Sequence, residues 1–167
     1  MSWQDEWIRR WKEEGLSEDE FPWDELPRVH YSTVWEVQRC WRRTACDNRP
    51  GLKMFYVNVN DENGEPLGGV RIGFDTEPPD TGVVYDHPNI WGRTGTRRGR
   101  EGYAEWDHLG VPTRYILWVD GELLIENLRT DLGNEYCNAG PRWEPRGWRP
   151  VNKPGVYSYD VEIQWKG

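Results

Sequence analysis

Residues 57–74, VNVNDENGEPLGGVRIGF, decide the fold class. Val57 and Val59 alternate with Asn58 and Asn60, the period of a strand with one dry and one wet face. Asp61-Glu62-Asn63-Gly64 supplies a turn, since Asn tolerates a left-handed backbone and Gly takes positive φ without a Cβ clash. Pro66 fixes φ as the chain leaves the turn, and Gly68-Gly69 lets two backbones pass closely. Val70, Ile72 and Phe74 then restore the alternation. The stretch reads as one complete β-hairpin, with Val57, Val59, Val70 and Ile72 facing a core.

The same pattern continues outward. Tyr157, Tyr159, Val161, Ile163 and Trp165 alternate strictly with polar residues and make the clearest strand of the chain. Residues 103–107 form another, with Ala104 and Trp106 on one face. Residues 115–119, YILWV, are nearly all apolar, as in a strand buried on both faces; Asp120-Gly121 then turns into a return strand over 123–128. Leu117, Val161 and Ile163 join the predicted core. Val83-Val84-Tyr85 offers one more short strand. In 34–40, Val34, Glu36, Gln38 and Cys40 fall on one side and Trp35, Val37 and Arg39 on the other. Short strands, glycine turns and little helix point to an all-β antiparallel sandwich. The predicted organisation is an N-terminal helix and connecting arm over 1–50 and a β-sandwich domain over 51–167.

The N-terminal segment has the features of an amphipathic helix. Ser2 and Asp5 imitate a capping box, and Gly15 stands where a helix ends. Trp3, Trp7, Ile8 and Trp11 share one face, too much apolar surface to leave in water. That face docks either on the chain's own sandwich or on a neighbouring subunit.

Three groups of residues carry a family resemblance. Asp61-x-x-Gly64-x-Pro66-Leu67-x-Gly69-Val70, then Gly102-Tyr103-Ala104, then Pro112-Thr113-Arg114-Tyr115-Ile116-Leu117-Trp118-Val119, resemble the carboxypeptidase regulatory-like and transthyretin-like (prealbumin-like) sandwich, an immunoglobulin-like architecture. The match covers about residues 54–128. It departs at Arg97-Arg98-Gly99-Arg100-Glu101-Gly102, where the family has a T-D-x-x-G step. Among proteins of similar fold, intradiol dioxygenases hold iron with two Tyr and two closely spaced His. Here His30, His87 and His108 are far apart. Hydroxyisourate hydrolases end in Tyr-Arg-Gly-Ser, against Gln164-Trp165-Lys166-Gly167 here. Neither catalytic set carries over, so the expectation is no enzyme, no cofactor and no metal.

Composition narrows the classes further. A net charge of -8 over 167 residues opposes general nucleic-acid binding, because phosphates need a basic face. No apolar run is long enough to span a bilayer. The first residues lack the positive start and apolar core of a Sec signal peptide. Cys40 and Cys46 are close enough in sequence to close a small loop, Cys137 has no obvious mate, and C-x5-C is a poor zinc pattern. Asp86-His87 and Asp107-His108 precede turn residues and read as turn chemistry.

Two segments could bind something. Arg93, Arg97, Arg98 and Arg100 concentrate positive charge in one stretch, either a solvated loop or a contact for an acidic neighbour. Trp143 and Trp148 stand among Arg142, Arg146 and three prolines, a combination suited to stacking on sugars or on a protein partner, or to covering the sandwich end. Counting strands places these two segments at opposite ends of the sandwich. The expected function is a non-catalytic structural or interaction protein, such as a virion decoration or tail component. Its partners would be protein neighbours, a second copy included. The alternative is a carbohydrate-binding module. The expected location is a virion or other extracellular assembly, reached from the cytoplasm without a signal peptide.

Overall fold

The computed structural model describes residues 3–13, 23–48, 51–77, 90–95, 101–137 and 150–167. Among the described residues, two sheets pack face to face behind one α-helix, α1 (Trp3–Glu13). The strands are β1 (Arg28–Val29), β2 (Trp35–Arg42), β3 (Met54–Asn60), β4 (Arg71–Thr76), β5 (Ile90–Arg93), β6 (Tyr103–Asp107), β7 (Arg114–Val119), β8 (Glu122–Arg129) and β9 (Tyr159–Trp165). One sheet has the order β1-β8-β7-β4-β5 and the other β2-β9-β3-β6. All pairs are antiparallel except β3 with β9, which run parallel. The expected all-β sandwich with an N-terminal helix is therefore present, with one parallel pair in its second sheet.

Residues 57–74 are not a hairpin. β3 pairs with β6 and β9, while β4 pairs with β5 and β7 in the opposite sheet. The stretch begins as a hairpin: Asp61 N–H donates to the Glu65 carbonyl and Leu67 N–H to that of Val59. The Asp61 carboxylate accepts from Asn63 and Glu65 N–H at 2.9 and 3.0 Å, closing the turn. At Gly68-Gly69 the chain then leaves its partner and crosses to the other sheet. There the Thr94 hydroxyl accepts from Val70 N–H and donates to the Leu67 carbonyl. Gly102 packs under this crossover at φ 69°; a Cβ there would meet the Val59 oxygen at 2.4 Å, so only glycine fits.

The predicted core is observed. Val57, Val59, Val70, Ile72, Leu117, Val161 and Ile163 are all buried in one cluster. At its lower end Phe55 is ringed by Phe74, Trp106, His108, Tyr115 and Tyr159, with centroids 5.0–5.8 Å away. β7 is buried from Tyr115 to Val119, on both faces, as its apolar run requires. Asp120 (φ 52°) and Gly121 (φ 89°) make the tight β7–β8 turn.

The proposed arm and sandwich are not separate units. β1 and β2, both within residues 1–50, each complete one sheet. β2 also carries a bulge between Val37 and Arg39. The bulge switches its phase, so Trp35 and Cys40 both face inward although they are five residues apart. The strand expected at 83–85 lies outside the described residues; the one that pairs with β4 is β5.

Strand directions sort the connections into two ends. Residues 30–34, 61–70, 94–95, 101–102 and 120–121 share the crossover end. Residues 43–53, 108–113, 130–137 and 150–158 share the other.

Candidate interaction surface

α1 docks on the chain's own sandwich. Trp3 and Trp7 are buried within the common core. The Trp7 indole N–H donates to the Cys40 carbonyl at 2.8 Å, and its ring meets Trp41 edge-on at 5.4 Å. Glu6 takes Arg39 in a two-pronged ion pair at 3.0 and 3.2 Å. Arg43 N–H bonds to Ser158 across the β2–β9 ladder, so the alternate residue positions, Cys40 and Arg42, turn their backbone groups away from β9. Trp7 thus caps the open edge of the second sheet. Two of the three indoles offered to a partner are consequently inside the protein; the side chain of Trp11 lies outside the described residues.

The remaining arm is fastened by Arg42 and Asn127. The Arg42 guanidinium lies between the rings of Trp7 (5.1 Å) and Tyr157 (5.7 Å) and pairs with Glu25 at 3.2 Å. Asn127, at φ 60°, donates from its amide to the carbonyls of Asp24 and Leu26.

The cysteine pairing, open in the sequence, joins distant residues. Cys46 bonds to Cys137 across a sequence separation of 91, and Cys40 is a buried free thiol. The proximity of Cys40 to Cys46 in sequence misleads because β2 points Cys40 into the core, away from the 43–53 connection. Burial pushes the Cys40 thiol well above its usual pKa, leaving it protonated and unreactive.

The disulfide joins a polar network at the same end. Asn48 donates to Asn152 Oδ1 at 2.8 Å, and Asn152 donates to Arg43 O at 3.0 Å and to the Glu135 carboxylate at 2.8 Å. Beside it opens a cleft of about 530 Å³, lined among others by Arg10, Glu13, Thr44, Asp47, Glu135 and Tyr136.

His108 and His30 both have local partners. His108 is buried, its Nε2 donates to the Tyr157 carbonyl at 2.7 Å, and burial lowers its pKa. Asp107 accepts from Leu109 N–H at 2.8 Å, the turn role its sequence suggested. His30 pairs with Glu126 at 3.0 Å on the surface. His87 lies outside the described residues. Among the described residues no group of three or more His, Cys, Asp or Glu side chains could hold a metal, and no described helix is long and apolar enough to cross a membrane.

Of the basic stretch, Arg93 donates to the Gly69 carbonyl at 2.8 Å. Arg97, Arg98 and Arg100 lie outside the described residues, as do Arg142, Trp143, Arg146 and Trp148. Their flanks are placed. Gly95 and Glu101 bridge at the crossover end, whereas Cys137 and Pro150 stand at the disulfide end.

Exposed apolar side chains also gather toward the ends. Trp23, Leu109 (80% exposed), Val111 and Tyr136 (45%) are at the disulfide end; Tyr31 (85%) and Val34 are at the crossover end. Leu109 is held at φ 59°, a left-handed conformation that costs a leucine about 1–2 kcal/mol. No sequence rule singled it out; only the Asp-His-Leu-Gly turn hinted at its backbone. Set against known proteins, the chain matches no family model, no curated protein and no solved structure.

Proposed function

We propose that this protein is a non-catalytic structural component of an extracellular assembly, of the kind that decorates a virion or its tail, and that it contacts neighbours through the two ends of its sandwich. The observation that carries this reading is Leu109. A large apolar side chain stands almost wholly in solvent, on a backbone that opposes it, beside exposed Val111 and at the same end as Trp23 and Tyr136. Strain of this kind persists where something uses it. The opposite ends of the flanks add support: the basic stretch and the Trp143/Trp148 segment are rooted where one molecule could bridge two neighbours. The Cys46–Cys137 bond supports a location outside a reducing cytosol. The resemblance to the carboxypeptidase regulatory-like sandwich belongs to the same proposal, since that fold hosts many binding modules.

Light scattering after size exclusion tests it. The protein should exceed its monomer mass of 19.8 kDa in a concentration-dependent way. Leu109→Asn with Val111→Ser should weaken one contact, and neutralising Arg97, Arg98 and Arg100 the other, with effects that add. A monomer at every concentration, unaffected by either set, overturns the reading.

A further inference from the structure

We infer that the cleft at the disulfide end is a binding site for a neutral sugar, a role that goes beyond the assembly reading and does not rest on it. The cleft of about 530 Å³ falls in the size range of small-ligand sites, roughly 300–1,000 Å³. Its lining comes from three separated parts of the chain. α1 gives Arg10 and Glu13, the β2–β3 connection gives Thr44 and Asp47, and the strap before β9 gives Glu135 and Tyr136.

These parts are held together before any ligand arrives. The Cys46–Cys137 bond joins the second and third. Asn48 and Asn152 repeat that link through the Glu135 carboxylate. Arg10 fastens the helix to the connection, reaching Asp47 at 3.5 Å while its guanidinium lies 5.0 Å over the Trp41 ring. A preorganised site loses little entropy on binding.

The chemistry of the lining selects the ligand. Carboxylates, a hydroxyl and a guanidinium are the groups that take vicinal sugar hydroxyls as donors and acceptors. Tyr136 adds an aromatic ring with nearly half its surface in solvent, a platform for the C–H face of a pyranose. Three carboxylates against one guanidinium disfavour a sulfated or uronic chain by repulsion, so between anionic and neutral sugars the lining favours the neutral.

The test titrates the oxidised, isotope-labelled full chain with neutral tetrasaccharides of glucose, mannose, galactose and N-acetylglucosamine, and with one sulfated and one uronic tetrasaccharide. At least one neutral probe should shift the amides of Thr44, Asp47, Glu135 and Tyr136 saturably. Tyr136→Ala should weaken that binding about tenfold or more without altering the melting temperature, and Glu13→Gln should weaken it less. Tyr31→Ala, which removes an exposed tyrosine from the other end, should leave it unchanged. The inference is overturned if no neutral probe moves the cleft amides, if shifts map elsewhere, or if the anionic probes bind as tightly. Failure of sugar binding with self-association intact would sink this site and leave the assembly reading standing.

Discussion

Leu109 offers the sharpest residue-level test, because stability and contact pull in opposite directions there. Asn tolerates the left-handed backbone that Leu109 adopts at φ 59°. Leu109→Asn should therefore stabilise the isolated fold by about 1 kcal/mol, read from urea midpoints, while weakening self-association. An unchanged association would assign the leucine no contact. His108 gives a pH signature. Burial beside Phe55, Trp106 and Tyr115 lowers its pKa, with the bond to the Tyr157 carbonyl opposing the shift only in part. Below about pH 6.5 the unfolded chain takes up a proton at this residue that the folded one resists. Stability is accordingly full above that pH and falls as pH drops through the window beneath it. His108→Gln should flatten the decline in melting temperature between about pH 7.5 and about pH 5; a decline of identical slope would remove His108 as its cause.

Among the elements, α1 and β2 act as a pair. Trp7 contributes burial and one hydrogen bond to an outward-facing carbonyl, and Phe in its place keeps most of the first and loses the second. Trp7→Phe should cost about 1–3 kcal/mol, the range for a buried acceptor left unsatisfied, measured by denaturation. Deleting the helix should do more, because the bare edge of β2 becomes open to pairing with other chains, visible as aggregation during mild heating. Strand phase was legible in the sequence at this scale: the alternations around Val57, Ile72 and Val161 place the correct residues inside. Strand partnership was not. A hairpin and a crossover between sheets share the same Asp-Glu-Asn-Gly turn, and only long-range neighbours such as Thr94 and Gly102 decide between them. The bulge in β2 was hidden for a similar reason, since Gln38 is an ordinary strand residue and the extra position is defined by β9. Of the candidate site, the turn role of Asp107 could be read locally, whereas the cleft depends on three distant segments meeting.

At the scale of the whole molecule, the Cys46–Cys137 bond links the β2–β3 connection to the strap before β9 across a sequence separation of 91. Closing so long a loop removes unfolded-state entropy worth about 2–5 kcal/mol. Reduction, or Cys46→Ser, should lower the free energy of unfolding by that amount while the sheets stay folded, as read by urea titration with and without reductant. A shift near zero would mean that the Asn48–Asn152 network alone holds this end. Cys40 should resist alkylation in the native state throughout, because its thiol is buried and protonated.

The place of β9 between β2 and β3 has a consequence for biosynthesis. The second sheet is filled in its middle by the last of its own four strands to be synthesised. More than a hundred residues separate Asn60 from the end of β9, a delay of roughly 5–20 s at ordinary elongation rates. Through that interval β2 and β3 wait without the neighbour that joins them, and Trp3 and Trp7 have no finished surface to settle on. Nascent chains stalled before residue 159 should therefore remain protease-sensitive and bound by holdase chaperones, and native resistance should arrive in one step once β9 is free to insert.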